Sequence, residues 1–107
     1  MIPLKKIEEL IQKHSLLEKD LSSGKIEKKL FAEKSKEYAD LNEIIKDAKK
    51  YFSYEKDRLE IQKILDDKNS DTELIKMAEI ELNDLKQENE TNEKKLKMFL
   101  LPKDEAD

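Results

Sequence analysis

Apolar residues recur at spacings of three and four along most of the chain, the period of helices that each bury one face. The first stripe is Leu4, Ile7, Leu10, Ile11, His14, Leu17 and Leu21. Pro3 suits its first turn, because the N–H that proline lacks is unpaired there anyway. Ser22-Ser23-Gly24 ends it, since glycine accepts the left-handed cap and the serines favour turns. From about Ile26 to Leu65 there is neither glycine nor proline. Leu30, Phe31, Tyr38, Leu41, Ile45, Ala48, Phe52 and Leu59 mark one stripe there, widened by Ile44, Tyr51, Ile61, Ile64 and Leu65. This run exceeds an ordinary globular helix. A break is expected near Ala39 to Asn42, where Asp40 and Asn42 offer the backbone local alternatives.

Asp66-Asp67-Lys68-Asn69-Ser70-Asp71 reads as the next turn, with Ser70 and Glu73 spaced as a capping box. A third stripe, Ile75, Ala78, Leu82, Leu85, Asn89, Asn92, Leu96 and Phe99, alternates threes and fours until Pro102 stops it. A helix of about 28 residues is roughly 42 Å long. Short connections make successive helices antiparallel. The expected fold is therefore all-α: an elongated antiparallel bundle or coiled coil of three to four helices, one helical domain over residues 1–107. Glu9 with Lys13, Glu90 with Lys94 and Glu93 with Lys97 are spaced to pair along the helix faces.

Composition narrows the function classes. Of the 107 residues, 45% are charged and 36% apolar, with a formal net charge of −4 in which lysines and acids interleave so that no charged tail or patch stands out. Mean hydropathy is −0.91, a polarity shared by disordered chains, but the strong periodicity argues for helices. With no cysteine, neither a disulfide framework nor a thiolate metal site can form. The longest apolar run is Met98-Phe99-Leu100-Leu101, far short of the roughly 20 residues a bilayer span needs. A cytoplasmic location is expected.

Chemistry is sparse. His14 is the sole histidine and lies on the buried stripe, where packing explains it better than catalysis. One glycine cannot build a phosphate-cradling loop. The carboxylates share wet faces with lysines, so nothing tunes them for acid–base work. The polar turn at 66–71 lacks the glycine and terminal glutamate of a calcium loop. Asn89 and Asn92 interrupt the third seam and suit a register-setting role. Among the aromatics, Tyr51 and Phe52 are expected in the core and Tyr54 elsewhere. Lys46, Lys49 and Lys50, and Lys94, Lys95 and Lys97, are the densest basic groups, read as solvated faces. No catalytic group, cofactor, metal or small-molecule ligand is expected.

Two segments carry a resemblance. Leu100-Leu101-Pro102-Lys103-Asp104, closing the third helix, resembles the exit from the N-terminal helical domain of bacterial class I peptide chain release factors, of the type that reads UAA and UAG. Ser35-Lys36-Glu37-Tyr38-Ala39-Asp40-Leu41 is similar to their Ser-Arg-Glu-Tyr-Ala-x-Leu segment. The resemblance implies a non-catalytic domain that reaches toward the stalk base of the large ribosomal subunit. That family's Gly-Gly-Gln release loop and Pro-x-Thr decoding tripeptide belong to other domains of the same factor. No residue of this chain takes those roles.

A rod without a pocket acts by spanning a distance and presenting its ends. The expected ribosomal contacts are Asp66, Asp67, Lys68, Asn69 and Ser70 at one end, or Lys25 and Lys28 at the other, on a monomer. A tRNA-binding helical arm of a synthetase has this size too, but the acidic balance and single arginine speak against it. A coiled-coil adaptor is the remaining alternative.

Overall fold

The computed structural model describes residues 1–102. It comprises three helices: α1 (Leu4–Ser23), α2 (Lys28–Asp66) and α3 (Thr72–Leu100). The expected all-α antiparallel bundle is present, in its three-helix form. α2 is the spine, with α1 packed on it from one side of the chain and α3 from the other. The molecule measures 60 × 35 × 20 Å with a radius of gyration of 18.4 Å, against about 13 Å for a compact domain of this size.

Local signals set most helix ends. Pro3 caps α1 from just outside it and its carbonyl accepts from the Lys6 N–H at 3.0 Å. Gly24 adopts φ 71° and closes α1, a conformation that costs glycine little and other residues more. Leu101 takes the extended conformation that a following proline imposes, so α3 stops at Leu100. Lys103 and Asp104, the last residues of the Leu100 to Asp104 segment, lie outside the described residues.

The start of α3 differs from the expected capping box. Asp71 is the cap, its carboxylate accepting from the Leu74 N–H at 2.7 Å. A charged acceptor suits the positive end of a helix, and such a cap contributes about 1 kcal/mol. Shifting the cap by one residue frees the Ser70 hydroxyl, which donates to the Ile64 carbonyl of α2 at 2.8 Å. One turn thus satisfies the end of α2 and the start of α3 together.

The expected break at Ala39 to Asn42 is absent; α2 runs through it without interruption. Tertiary contacts explain why. Leu41 is buried, and Asn42 turns its side-chain oxygen to His14 Nε2 at 3.0 Å instead of to its own backbone. His14 is itself buried and stacks on Tyr38 with ring centroids 4.8 Å apart. Glu37 pairs with Lys13, and Lys34 with Asp20 at 2.9 Å. Lys13 therefore reaches across to α2 and not along α1 to Glu9. The Ser35 to Leu41 segment is the strip of α2 that fastens α1.

The core lies where all three helices overlap. Ile2, Ile7, Ile44, Ala48, Tyr51 and Leu96 form one cluster, with Ile7 and Leu96 fully buried. Burying each such aliphatic side chain contributes about 1.5–3 kcal/mol. The backbone N–H of Ile2 donates to the Tyr51 hydroxyl at 3.3 Å, tying the chain's start to α2. Beyond this middle zone each half of α2 has one partner only. Leu30 and Phe31 toward one end, and Phe52 and Leu59 toward the other, are consequently exposed. Phe52 thus departs from its expected core place, whereas Tyr51 is buried and Tyr54 half-buried.

Candidate interaction surface

The expected contact residues separate into two groups at opposite ends of α2. A helix of 39 residues is about 58 Å long at 1.5 Å per residue. Lys25 and Lys28 are exposed at the α1–α2 turn. There the Lys25 N–H donates to Ser23 Oγ at 3.2 Å, while the Ser23 hydroxyl donates to the Asp20 carbonyl at 2.7 Å. This turn, residues 24–29, carries three lysines against one glutamate.

The α2–α3 turn has the opposite sign. Residues 66–71 hold three aspartates against one lysine. Asp66, Asp67, Lys68 and Asn69 are exposed, and Asp67 Oδ1 accepts from the Asn69 N–H at 2.9 Å. Ser70 is half-buried with its hydroxyl committed to Ile64. It shapes the turn more than it offers a contact. The structure does not bring the two expected groups together.

Sequence reasoning missed two surfaces between these ends, and neither is an enclosed pocket. Both are open grooves along helix seams. The first, about 420 Å³, lies between α2 and α3: Ile61, Ile64 and Leu85 form its floor, and Asp57, Glu60, Glu81, Asp84 and Glu88 its edges. The second, about 660 Å³, is apolar and lies where Met1, Ile2 and Pro3 meet Met98, Leu100 and Leu101 beside Lys6, Lys94 and Lys97. No linear signal marks the first groove, because its acids come from separate helices and meet only in the fold. Among the described residues, no three His, Asp or Glu side chains converge as metal ligands would.

Ion pairs flank both grooves. Lys50 meets Glu88 at 2.6 Å, and that hydrogen bond and charge raise the lysine's pKa. Glu93 meets Lys97 at 3.1 Å and the Met1 amine at 3.3 Å. The hydrogen bond from Lys97, then that from the amine, lowers the Glu93 carboxyl below its usual range. Its folded pKa thus lies below its unfolded one, so the clamp stabilises above the ordinary carboxylate range and is lost as pH falls through the lowered value. Glu93→Gln should cost about 0.5 kcal/mol near neutrality, and progressively less as acid protonates Glu93 and removes the charge that glutamine lacks. Thermal melts of the two proteins from neutral to acidic pH check this.

Comparison with known proteins decides the family. Residues 10–107 match the PCRF domain. The chain belongs to the PCRF domain family. It is 72% identical over 107 residues to peptide chain release factor 1 of Pelagibacter ubique (strain HTCC1062), covering all of this chain and 30% of that protein. Identity to the protein of the same name from Orientia tsutsugamushi (strain Boryong) is 35% over 101 residues, 94% of this chain and 28% of the relative. For that of Rickettsia bellii (strain OSU 85-389) it is 36% over 98 residues, 92% and 27%. The chain spans less than a third of the length of these curated relatives. No solved structure matches it. In this PCRF domain, no helix among the described residues is long and apolar enough to cross a membrane.

Proposed function

We propose that the chain is the N-terminal helical domain of a class I peptide chain release factor. In this reading it is a non-catalytic, cytoplasmic part of a factor that ends translation at UAA and UAG. The observation that carries the mechanism is a pair of exposed turns held at opposite ends of one unbroken helix, α2. Such an element works by holding two surfaces apart. Support for the factor comes from relatives that all bear the name peptide chain release factor 1. The match and the acidic balance weigh against a synthetase arm.

One turn reaches the large-subunit stalk base while the other domains of the factor occupy the decoding and peptidyl-transferase centres. The Lys25 and Lys28 turn has the charge for RNA phosphates, and the Asp66 to Asp71 turn for a basic protein. Photo-cross-linkers at Lys28 and at Asn69, in the intact factor bound to ribosomes stalled at UAA, test this. A stalk-base adduct from one of them is expected. No stalk-base adduct from either position overturns the reading. Sedimentation should show a monomer; a concentration-dependent dimer would instead support the adaptor.

A further inference from the structure

The groove between the distal halves of α2 and α3 differs in chemistry from the rest of the surface. Its lining contains five carboxylates and no cation, on a chain whose net charge is −4. Glu88 is paired with Lys50, which leaves Asp57, Glu60, Glu81 and Asp84 without an ion-pair partner among the described residues.

The floor is apolar and open. α3 alone covers this half of α2; Ile61 is buried beneath it, while Ile64 and Leu85 stay half-exposed along the uncovered flank of the seam. The apolar surface continues past the groove: Met77 lies four, seven and eleven residues before Glu81, Asp84 and Glu88, spacings that put all four on one helical face. Met77 is 67% exposed and Leu74, three residues earlier, 42%. At the groove's other end, Asn89 Oδ1 is buried with no hydrogen-bond partner, beside Asp57, Leu85 and Glu88, which line both the groove and the adjoining hollow.

We propose that this groove is the docking site for a basic amphipathic helix of a partner protein. The partner's apolar side chains cover Ile64, Leu85 and Met77, and its lysines or arginines reach Asp57, Glu60, Glu81 and Asp84. This is the helix-in-groove mode, in which apolar anchors give affinity and flanking charge gives orientation. Nucleic acid is disfavoured by the same field, since phosphates would face the unpaired carboxylates of Asp57, Glu60, Glu81 and Asp84. A metal ion fits poorly, because the acids flank the seam without converging on one point. The groove's chemistry holds wherever in the cell the protein acts, so the ribosomal reading can fail without it.

The test titrates the ¹⁵N-labelled chain with a synthetic leucine–lysine amphipathic helix. A scrambled peptide of identical composition and a uridine oligonucleotide serve as further probes. Saturable shifts confined to residues 57–64, 74–77 and 81–89 are expected with the amphipathic peptide, and weaker binding with the scrambled one. The double variant Glu81→Gln, Asp84→Asn removes two exposed like charges and should keep its fold while binding about tenfold more weakly at low salt. Lys50→Gln frees Glu88 and should tighten binding about twofold. The proposal is overturned if the scrambled peptide binds equally well, if the shifts map elsewhere, if the double variant binds unchanged, or if the oligonucleotide occupies the same residues.

Discussion

Leu96→Ala is expected to lower the unfolding free energy by about 3 kcal/mol, within the range of about 2–5 for emptying a fully buried aliphatic site. Leu96 has no exposed surface and sits among Ile2, Ile7, Ile44, Ala48 and Tyr51, contributed by the N-terminal segment, α1 and α2. Its removal therefore loosens all three helices where they overlap. The bundle has little else to compensate, because each outer half of α2 is covered by one helix. Against a typical total of about 5–15 kcal/mol, this is a large fraction. Urea unfolding followed by helical circular dichroism measures it, with the exposed Met77→Ala as a control expected to stay within about 0.5 kcal/mol. A loss below about 1 kcal/mol for Leu96→Ala would mean that the three helices do not share this core.

Ala39→Pro is expected to cost about 3 kcal/mol or more. Ala39 is exposed and eleven residues inside α2, so no buried side chain is lost and the cost arises in the backbone. Proline there removes a hydrogen bond to the carbonyl of Ser35, and its ring clashes with that carbonyl. It also bends the strip that presents Glu37, Tyr38 and Asn42 to α1. The same substitution in a loop would be nearly neutral, so the experiment separates a continuous spine from two shorter helices. Differential scanning calorimetry should show a lower melting temperature. An unchanged melt would restore the break.

Much of this fold is legible in the chain because its signals are local. Gly24, the only glycine, and Pro102 end helices by conformational preference. The three-and-four spacing of Ile7, His14, Leu17, Ala78 and Leu96 marks faces that are buried. The misreadings arise where distant partners decide. Asp40 and Asn42 look like helix breakers until His14, 28 residues before Asn42, takes the asparagine's hydrogen bond. Leu30, Phe52 and Leu59 continue an apolar stripe, yet they are exposed because α2 outruns each helix packed on it. Ser70 and Asp71 both suit a cap, and only the carbonyl of Ile64 settles which one is free to serve.

The candidate surfaces divide the same way. Both turns are readable as runs of polar residues, and they emerge as exposed ends. Their opposite charge is also visible in sequence once the two runs are compared. The acidic groove is not, because Asp57 and Glu60 reach Glu81, Asp84 and Glu88 only after the chain reverses at residues 67–71. The apolar hollow beside Lys6, Lys94 and Lys97 likewise needs the two ends of the described chain to meet.

An uninterrupted α2 has a mechanical consequence. With α1 and α3 both packed against it near its middle, the spine acts as a balanced lever whose fulcrum is the Ile7 and Leu96 cluster. Tilting it by about 10° there swings each extremity by about 5 Å in opposite directions. Seizing the acidic extremity therefore displaces the basic one, with no rearrangement of the intervening backbone.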